Sequence, residues 1–449
     1  MGAIPAIAIV DVGKTNKKLM VYDSSYNLIH QQIKTIPETV DEDGFPSEDL
    51  SLLCNVVLEL IDEVLANPQF DIQAINFTAY GASFVYLDKA GNPLPPLYNY
   101  LKPYPEEVGN EFFANYGKPE IIALETASPT LGNLNSGMQL YWLKKQKPDF
   151  FNKIHTALHL PQFISYLISH KTYVEKTSIG CHTQLWNFKL DQYHEWVEKE
   201  KLNNLFPALI DSASSNVIIR KEKKLQVGVG LHDSSSALVP YTTFLRDPFI
   251  LISTGTWSIS LNPFNQEPLC IDELKQDCLC YFQSNGKAVK ASRLFLGHFH
   301  DTGTSKIASH YALPRDFFAA IKFDNEVYQL SLKIFHDKQY LDFDQVDLME
   351  IGSPDVSYYL LIAILVKMQV KSTSLIFGKD EPETILVDGG FSQNELFLRI
   401  LKQQFSSKRL FVSMLSQSTS LGAALILHDA WNQTKLSETV FPLMEIQPS

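Results

Sequence analysis

Apolar runs and helical patterns alternate along this chain from its first residues. Residues 6–10 and 19–22 are two short, almost continuous apolar runs separated by a polar turn, a pattern typical of adjacent buried strands. Ser47 is predicted to cap a helix. Eight apolar residues recur at helical spacing in that helix: Leu50, Leu53, Val56, Val57, Leu60, Ile61, Val64 and Leu65. Further helical patterns cover residues 136–145 and 160–169, and the alternation predicts an α/β fold.

The opening pattern returns in the second half of the chain. An apolar run over residues 248–252 leads into the polar turn 253–256, and a second apolar run, 257–261, follows. Each half therefore begins with a strand, a turn that contains Gly and Thr, and another strand. Such a repeat predicts two related lobes with a nucleotide between them.

A third glycine-containing turn lies in the last third of the chain. The apolar run 384–387 is followed by Asp388, Gly389 and Gly390, and residues 392–395 have the Ser-x-x-Glu form of a capping box. Glycines that open onto a helix N-terminus allow a nucleotide to lie against the backbone. This turn is therefore a candidate nucleotide contact.

The composition is that of an ordinary globular protein with an acidic balance. The 449 residues have a formal net charge of −12, which argues against a nucleic-acid partner. The first residues lack the basic segment of a signal peptide, and polar residues interrupt the apolar stretch 358–377, so no membrane segment is expected. The cysteines number five, an odd count that fits a reducing compartment, and a cytoplasmic location is expected.

The turn after the first apolar run has the chemistry of a phosphate site. Its candidate ligands are one glycine and four residues with donor groups: Gly13, Lys14, Thr15, Asn16 and Lys18. A glycine lets the backbone approach phosphate oxygens, and the carboxylate of Asp11 suits a hydrated Mg²⁺. Residues 13–15 also match the end of a P-loop. The first glycine of that motif would fall on Ala8, inside a strand, which argues against a Walker-type site. An ordinary charged hairpin stays the alternative interpretation.

These turns, in this order, resemble those of the FGGY family of carbohydrate kinases, within the actin-like ATPase superfamily. Residues 11–18 resemble the first phosphate motif of that family, residues 253–258 the second, and residues 388–394 the adenosine motif. Residues 182–187 and 232–237 are similar to segments of the rhamnulokinase and fuculokinase subgroup. The resemblance extends over nearly the whole chain.

The resemblance implies an α/β fold of two actin-like (ribonuclease H-like) lobes with a nucleotide and sugar cleft between them. Residues 1–243 are then the N-terminal lobe, which binds the sugar and supplies the catalytic base. Residues 244–449 are the C-terminal, nucleotide-binding lobe. A hinge is expected at residues 240–246, because closure of the lobes over bound sugar would exclude water.

The resemblance also implies the roles of individual residues. Asp233 is implied as the catalytic base, and Asp11 and Asp233 as the residues that bind Mg²⁺. ATP is the implied cofactor. It would be held by the first turn and by five further residues: Gly255, Thr256, Gly389, Gly390 and Asn394. The sugar is implied to contact Tyr80, Gly81, His232 and Asp233, and a buried structural role for His232 stays open.

Departures from the family pattern leave the substrate open. Ser83 stands where the subgroup has a carboxylate, and Lys14 stands where Thr or Ser is usual. Lys14 is expected either to contact a phosphate or to pair with Asp11. The expected partner is a small sugar, a ketose that is rhamnulose-, fuculose- or pentulose-like. No nucleic acid or membrane partner is expected, and a homodimer is one expectation for the assembly.

The expected activity is transfer of the γ-phosphoryl group of ATP to a hydroxyl of that sugar. This reaction needs a carboxylate that accepts the hydroxyl proton, donors that stabilise the phosphoryl charge, and a metal ion that bridges phosphates. Two alternatives stay open: a catalytically silent sugar- or nucleotide-binding module of the same fold, and an actin-like or chaperone ATPase that transfers the phosphoryl group to water. Sugar-stimulated ADP release distinguishes the three.

Overall fold

The protein is built from alternating strands and helices, and the computed structural model describes residues 2–379, 381–415, 417–437 and 440–447. The strands are β1 (Ile4–Val12), β2 (Asn16–Asp23), β3 (Leu28–Thr35), β4 (Glu38–Val40), β5 (Pro46–Glu48), β6 (Phe70–Ala79), β7 (Phe84–Leu87), β8 (Pro93–Leu94), β9 (Thr156–His159), β10 (Val174–Glu175), β11 (Trp186–Asn187), β12 (Gln192–Tyr193), β13 (Leu209–Ile210), β14 (Ser215–Arg220), β15 (Lys223–Gly228), β16 (Leu231–His232), β17 (Phe249–Thr254), β18 (Ser258–Asn262), β19 (Cys278–Phe282), β20 (Ala288–Leu294), β21 (Thr384–Gly389), β22 (Arg409–Ser413) and β23 (Leu443–Glu445). The helices are α1 (Leu50–Ala66), α2 (Glu106–Tyr116), α3 (Pro119–Glu125), α4 (Ser136–Gln146), α5 (Pro148–Phe151), α6 (Leu160–Ser169), α7 (Lys176–Ile179), α8 (Glu195–Lys199), α9 (Asp233–Phe244), α10 (Ile271–Lys275), α11 (Leu296–Tyr311), α12 (Asn325–Lys338), α13 (Leu348–Ile351), α14 (Pro354–Ser374), α15 (Glu395–Gln404), α16 (Ser418–Leu425) and α17 (His428–Trp431).

Two large mixed sheets form the centres of the two halves. Within the described residues, the first sheet has the order β14-β15-β6-β1-β2-β3, with β16 also paired to β6, and the second has the order β19-β20-β18-β17-β21-β22-β23. β1 is antiparallel to β2 and parallel to β6, and β17 is likewise antiparallel to β18 and parallel to β21. The order β3-β2-β1-β6-β15 therefore recurs as β20-β18-β17-β21-β22. This recurrence confirms the predicted pair of related α/β lobes.

The central strand β1 is covered on both faces, which explains its continuous apolar run. Ala6, Ala8 and Val10 pack with the apolar face of α1 in one core cluster. Ile7 and Ile9 point to the other face and pack with residues of α16. Because successive strand residues alternate between faces, a strand buried on both sides needs an apolar residue at every position.

The start of α1 corrects the predicted helix cap. Ser47 lies in β5, where its hydroxyl donates to the Leu97 carbonyl oxygen at 2.7 Å. Asp49 is the N-cap, and its side chain accepts from the Leu52 N–H at 2.9 Å. The strand β5 extends to Glu48, so the first residue free to cap the helix comes two positions later than predicted.

The predicted capping box at residues 392–395 is also wrong. A short 3₁₀ turn occupies Gly390–Gln393, and the α-helix begins only at Glu395. Asn394 is the cap, and its side-chain oxygen accepts from the Phe397 N–H at 3.0 Å. The Ser392 hydroxyl instead donates to the Gly389 carbonyl oxygen at 2.6 Å, which closes the turn.

Two helices pack together between the sheets. α9 leads from the first sheet toward the second, and α16 packs against α9, β1 and β6. A Cβ atom at Gly422 of α16 would lie 1.8 Å from the Ser236 carbonyl oxygen of α9, so only glycine allows this approach. Pro240, at the start of the expected hinge, lies inside α9.

In the described part of the chain, no helix is both long enough and apolar enough to cross a membrane. The apolar stretch singled out in the sequence forms most of α14, which is buried against the second sheet. The cysteines Cys54, Cys181, Cys270, Cys278 and Cys280 are free thiols.

Candidate active site

The two predicted acidic residues lie at one edge of the first sheet. Asp11 is near the end of β1, beside Thr78 on β6 and Lys18 on β2. β16 runs parallel to β6 and ends at His232, which is paired with Ala79, and Asp233 begins α9. Parallel strands end at the same sheet edge, so the topology brings together residues that are more than 200 positions apart in sequence.

The two carboxylates influence each other electrostatically. Burial and the charge of Asp233 raise the pKa of Asp11 to about 7, although Lys18 opposes the shift. Burial favours the neutral form of Asp233, but the adjacent His232 and the Ser234 N–H outweigh it and lower the pKa of Asp233. Asp233 therefore stays ionised and can accept a proton.

The first turn is closed by backbone hydrogen bonding and braced from behind by a buried lysine. The Gly13 N–H donates to the Asn16 carbonyl oxygen at 2.9 Å. The Lys17 ammonium donates to the carbonyl oxygens of Gly13 and Lys14, each at 3.1 Å. Thr15 is exposed at the tip of the turn. Lys17 is thus structural, whereas Lys18 points to the opposite face and lines a cavity.

The second turn is held by close contacts with the third turn. The Thr254 hydroxyl donates to the Asp388 carbonyl oxygen at 2.5 Å and accepts from the Phe391 N–H at 2.9 Å. Gly389 has a φ of +82°, and a Cβ atom there would lie 1.9 Å from the Thr254 carbonyl oxygen. Gly255 and Thr256 are exposed beyond this contact.

A cavity of about 400 Å³ joins the first turn to the other two. Residues of both lobes line it: Asp11, Lys18, Ser253, Asp388, Gly389, Gly390, Ser392, Gln393, Leu415, Gln417, Ser418 and Thr419. Asp11 and Lys18 of the first motif thus face Ser253 of the second across one shared space. Six predicted ligands do not line this cavity: Gly13, Lys14, Thr15, Asn16, Gly255 and Thr256. Lys18 contributes a positive charge to this cavity. On the side of the second lobe the cavity is formed by neutral turns and by Asp388, which is buried.

A larger cavity of about 650 Å³ adjoins the second and third turns. It contains the predicted nucleotide residues Gly255, Thr256, Gly390 and Asn394. Asn394 also donates to the Tyr358 hydroxyl at 2.8 Å. One aromatic residue of its wall, Phe391, belongs to the predicted adenosine motif. The sequence did not single out four others: His300, Phe318, Phe323 and Tyr358. These side chains come from separate helices and loops, so no local motif marked them.

The predicted sugar contacts lie around the His232–Asp233 pair. Nε2 of His232 is 3.0 Å from Asp233 Oδ1 and also 3.0 Å from Cys181 Sγ. A Cβ atom at Gly81 would lie 2.5 Å from Cys181 Sγ, so a larger residue there would displace this thiol. Burial lowers the pKa of His232, but Cys181 and Asp233 outweigh it and raise this pKa well above its usual value. His232 therefore orients Asp233.

Two neighbours of this pair were absent from the sequence-based site. Cys181 belongs to the loop after α7, and Tyr281 comes from β19 of the second lobe, with its ring 5.4 Å from that of His232. Nothing in the sequence near residues 181 or 281 indicates this contact. Strand topology and the approach of the lobes create it.

The structure shows the surroundings of Lys14 and Ser83, the two residues that depart from the family pattern. The Nζ atom of Lys14 lies 3.6 Å from Glu38 Oε1 and 3.8 Å from Glu48 Oε1, so these carboxylates, rather than Asp11, are its ion-pair partners. Ser83 is buried, and its hydroxyl has no hydrogen-bond partner within the described residues.

The acidic pair fits a cation that retains most of its water. Over the residues that the structure describes, no group of three or more His, Cys, Asp or Glu side chains is arranged to hold a metal ion. Mg²⁺ commonly binds through one or two carboxylates, with water and substrate phosphates as the remaining ligands. Asp11 and Asp233, which raise the cost of each other's ionisation, match that mode.

Comparisons with known proteins identify the family of this chain. The family model described as the N-terminal domain of the FGGY family of carbohydrate kinases matches residues 6–239. A rhamnulokinase from Halalkalibacterium halodurans is 26% identical over 275 residues, which cover 58% of this chain and 57% of that protein. A probable L-xylulose kinase from Haemophilus influenzae is 20% identical over 459 residues, which cover 96% of this chain and 91% of that protein.

Solved structures share the whole fold. A ligand-bound xylulose kinase from Lactobacillus acidophilus has a TM-score of 0.83 at 15% identity, covering 99% of this chain and 94% of its own. The glycerol kinase of Plasmodium falciparum with ADP has a TM-score of 0.74 at 16% identity, covering 95% and 90%. At such identities these structures establish the fold, the two-lobed actin-like one. The family-model match spans more than half of the sequence, and this chain therefore belongs to the FGGY family of carbohydrate kinases.

Proposed function

We propose that this chain is an ATP- and Mg²⁺-dependent kinase that transfers the γ-phosphoryl group of ATP to a hydroxyl of a ketose. The observation that carries the proposal is the shared cavity, in which Asp11 and Lys18 face Ser253 and Gly389. Rhamnulose-, fuculose- and pentulose-like sugars are the proposed acceptors. The names of the relatives, rhamnulokinase and probable L-xylulose kinase, support this choice.

In the proposed mechanism, Asp233 accepts the proton of the attacking sugar hydroxyl. His232 holds the Asp233 carboxylate at 3.0 Å and favours its ionised form, and about one third of the Asp233 side chain remains exposed (36%). A carboxylate that is ionised, oriented and accessible meets the needs of a general base. Tyr80 and Gly81 would form the wall of the acceptor site beside this pair.

The phosphates of ATP would lie between the first and second turns. Lys14, Thr15, Asn16 and Lys18 would supply donors from the first lobe, and Thr256 would supply them from the second. Gly255 would let the backbone approach the phosphates rather than supply a donor, since its N–H donates to the Trp257 carbonyl oxygen at 2.9 Å. Charge that develops on the transferred phosphoryl group is stabilised by such fixed donors. The adenosine would occupy the larger cavity, against Gly390 and Asn394, with Gly389 at the adjoining smaller cavity.

Asp11 and Asp233 are the residues proposed to hold Mg²⁺ through its water molecules. When bound, the ion neutralises phosphate charge and fixes the orientation of the triphosphate. Lys18 contributes a second positive charge beside Asp11, because the two residues are paired across β1 and β2.

Each lobe has its own proposed role. Residues 1–243 would bind the sugar and supply the base, and residues 244–449 would bind the nucleotide. The acidic net charge of −12 supports a small-molecule substrate rather than nucleic acid. A homodimer and a cytoplasmic location stay predictions from the sequence.

A coupled assay of ADP release tests the proposal. Wild type and the Asp233→Asn variant are compared with Mg²⁺-ATP alone and with L-xylulose, D-xylulose, L-rhamnulose, L-fuculose and glycerol. ADP release that requires a ketose and depends on Asp233 is the expected result. ADP release at equal rates without sugar would instead indicate an ATPase, and binding without ADP release would indicate a silent module. The relatives, which are named as kinases, give the silent alternative no support.

A further inference from the structure

Asp388 is a buried carboxylate of the third turn to which the proposed mechanism assigns no role. It lines the shared cavity, but it is only 4% exposed. Its Oδ1 atom accepts from the Gly389 N–H at 2.6 Å. Its Oδ2 atom accepts from the hydroxyls of Tyr241 and Ser418, each at 2.7 Å. These three donors stabilise the ionised carboxylate, so both of its oxygens have partners within the protein.

The three donors belong to three different elements. Gly389 ends β21, Tyr241 lies in α9, and Ser418 is the first residue of α16. Burial and the charge of Asp388 raise the pKa of the Tyr241 hydroxyl well above its usual value, although Ser413 opposes the shift. Tyr241 therefore stays protonated and donates to the carboxylate. One side chain thus joins the third turn to two helices.

Helix α9 depends on such contacts, because it contains a proline. Pro240 has no N–H, so the Ser236 carbonyl oxygen, four residues earlier, loses its hydrogen bond within the helix. A contact lies on each side of this point. Before it, the Ser236 hydroxyl donates to the Thr419 carbonyl oxygen of α16 at 2.8 Å. After it, Tyr241 donates to Asp388. Because α16 is itself bonded to Asp388, the three elements are joined by a closed set of hydrogen bonds.

We propose that Asp388 is a positioning residue that joins the nucleotide turn of the second lobe to the helix that carries the catalytic base. Asp233 is the first residue of α9, and Tyr241 lies eight residues further along that helix. The hydrogen bond from Tyr241 to Asp388 therefore fixes the direction of α9 relative to the third turn. This inference rests on the proposed function, because it takes Asp233 as the base and the third turn as a nucleotide contact.

The length of α9 makes the position of Asp233 sensitive to this contact. At a rise of about 1.5 Å per residue, Asp233 lies about 12 Å from Tyr241 along the helix, so a tilt of about 5° moves it by about 1 Å. A misplacement of about 1 Å can reduce the rate by as much as about 100-fold. The nucleotide would contact the third turn directly. Loss of the Tyr241 hydroxyl should thus affect the phosphoryl transfer more than nucleotide binding.

Steady-state ADP release with whichever ketose the wild type phosphorylates tests the inference. Tyr241→Phe removes only the hydroxyl. Its kcat is expected to fall by about tenfold, while the KM for ATP changes by less than about threefold. The assay is run well below the midpoint of thermal unfolding of each variant. A purely structural role would lower that midpoint and leave the kcat of the folded protein unchanged.

Asp388→Asn tests the other side of the same residue. The amide oxygen can still accept from Tyr241, but the amide nitrogen cannot accept from the Gly389 N–H. This variant is expected to raise the KM for ATP by about fivefold or more and to keep kcat within about threefold of wild type. The two variants should therefore show opposite patterns.

Tyr328→Phe is the matched control. Tyr328 is a buried tyrosine of α12 whose hydroxyl donates to the Gln403 side chain within the second lobe, and it lines neither cavity. This variant also loses a tyrosine hydrogen bond and is expected to keep kcat within about twofold of wild type.

Ser236→Ala covers the case in which Tyr241→Phe does not fold. It removes the other contact of α9, the bond to Thr419, and leaves Asp388 with all three donors. It is expected to lower kcat by about threefold or more without a change in the KM for ATP.

Several results would overturn the inference. A normal kcat in Tyr241→Phe would do so, and if its KM for ATP rose instead, the bond would serve only the nucleotide turn. A normal kcat in Ser236→Ala would overturn the inference where Tyr241→Phe does not fold. In each of these cases a wild type that phosphorylates a ketose leaves the proposed function standing. A wild type that phosphorylates no ketose would contradict the proposed function and overturn the inference with it.

Discussion

The two strand–turn–strand motifs of this protein share a backbone plan but differ in charge. The first joins β1 to β2 and combines the carboxylate of Asp11 with three lysines at positions 14, 17 and 18. The second joins β17 to β18 and consists of the neutral residues Ser253 to Trp257. The same arrangement of strands therefore supports a charged site in one lobe and a neutral one in the other.

The two turns are also stabilised in different ways. A buried ion pair, Lys17 with Glu48, braces the first turn. Backbone contact at Gly389 and the hydroxyl of Thr254 brace the second. The first lobe should thus be most sensitive to loss of charge, and the second to added volume. The following predictions test that distinction.

Asp233→Asn is expected to have the largest effect on activity. The amide keeps the size of the side chain but cannot accept the sugar proton, so kcat should fall by about 100-fold or more, as for loss of a general base. The KM for ATP should change little, since the variant leaves both phosphate turns and Asp11 intact. Steady-state ADP release measures both values. A near-normal kcat would remove Asp233 from its role.

Asp11→Asn is expected to weaken the binding of Mg²⁺ and to leave the general base, Asp233, in place. The Mg²⁺ concentration for half-maximal rate should rise by about tenfold or more, a typical cost of altering a residue that supports a metal ion. Titration of the rate with Mg²⁺ at fixed ATP measures this value. Glu59→Gln provides a matched change of charge, because it removes one negative charge from α1, where Glu59 pairs with Lys34 away from the cavity. An Asp11→Asn variant with an unchanged Mg²⁺ titration would argue against a metal role.

Gly389 and Gly390 are adjacent, so the effect of an added methyl group can be compared at two neighbouring positions of the second lobe. Gly389→Ala places a methyl group 1.9 Å from the Thr254 carbonyl oxygen and strains a positive φ, whereas a Cβ atom at Gly390 meets nothing within 4 Å. Backbone strain alone should destabilise Gly389→Ala by about 1 to 3 kcal/mol. Gly390→Ala should keep the wild-type midpoint of thermal unfolding and raise the KM for ATP. Equal midpoints for the two variants would contradict the proposed brace.

The smallest expected effect is a change in overall shape. If the lobes close over sugar and nucleotide, small-angle scattering should show a smaller radius of gyration with both ligands than with neither. The two-ligand state should differ from each single-ligand state. An unchanged radius in all four states would count against closure at residues 240–246.

Local features of the sequence predicted the fold well. The two strand–turn–strand motifs and α1 depend on contiguous apolar patterns, and these appear as predicted. Helix starts were less accurate. Ser47 and Ser392 are suitable capping residues by type, but a strand and a 3₁₀ turn shift the true caps to Asp49 and Asn394.

Only part of the candidate site could be predicted from the sequence, because the contacts that were missed join residues far apart along the chain. Cys181 meets His232 across 51 positions of sequence, and Tyr281 reaches His232 from the other lobe. Lys18 was among the predicted phosphate ligands, whereas Lys17 was given no role. The alternation of β2 separates the two: Lys17 shares the inward face with Leu19 and Val21, so its burial followed from the period of the strand.

The central claim is that the first and second turns bind the same triphosphate across a shared cavity. A crystal structure with Mg²⁺, AMP-PNP and a ketose tests this claim most directly. The account predicts phosphate oxygens within hydrogen-bond distance of residues 13–18 and of residues 253–256 in the same complex, with Asp233 beside the acceptor hydroxyl. Phosphates that contact only one of the two turns, or a sugar bound away from Asp233, would contradict it.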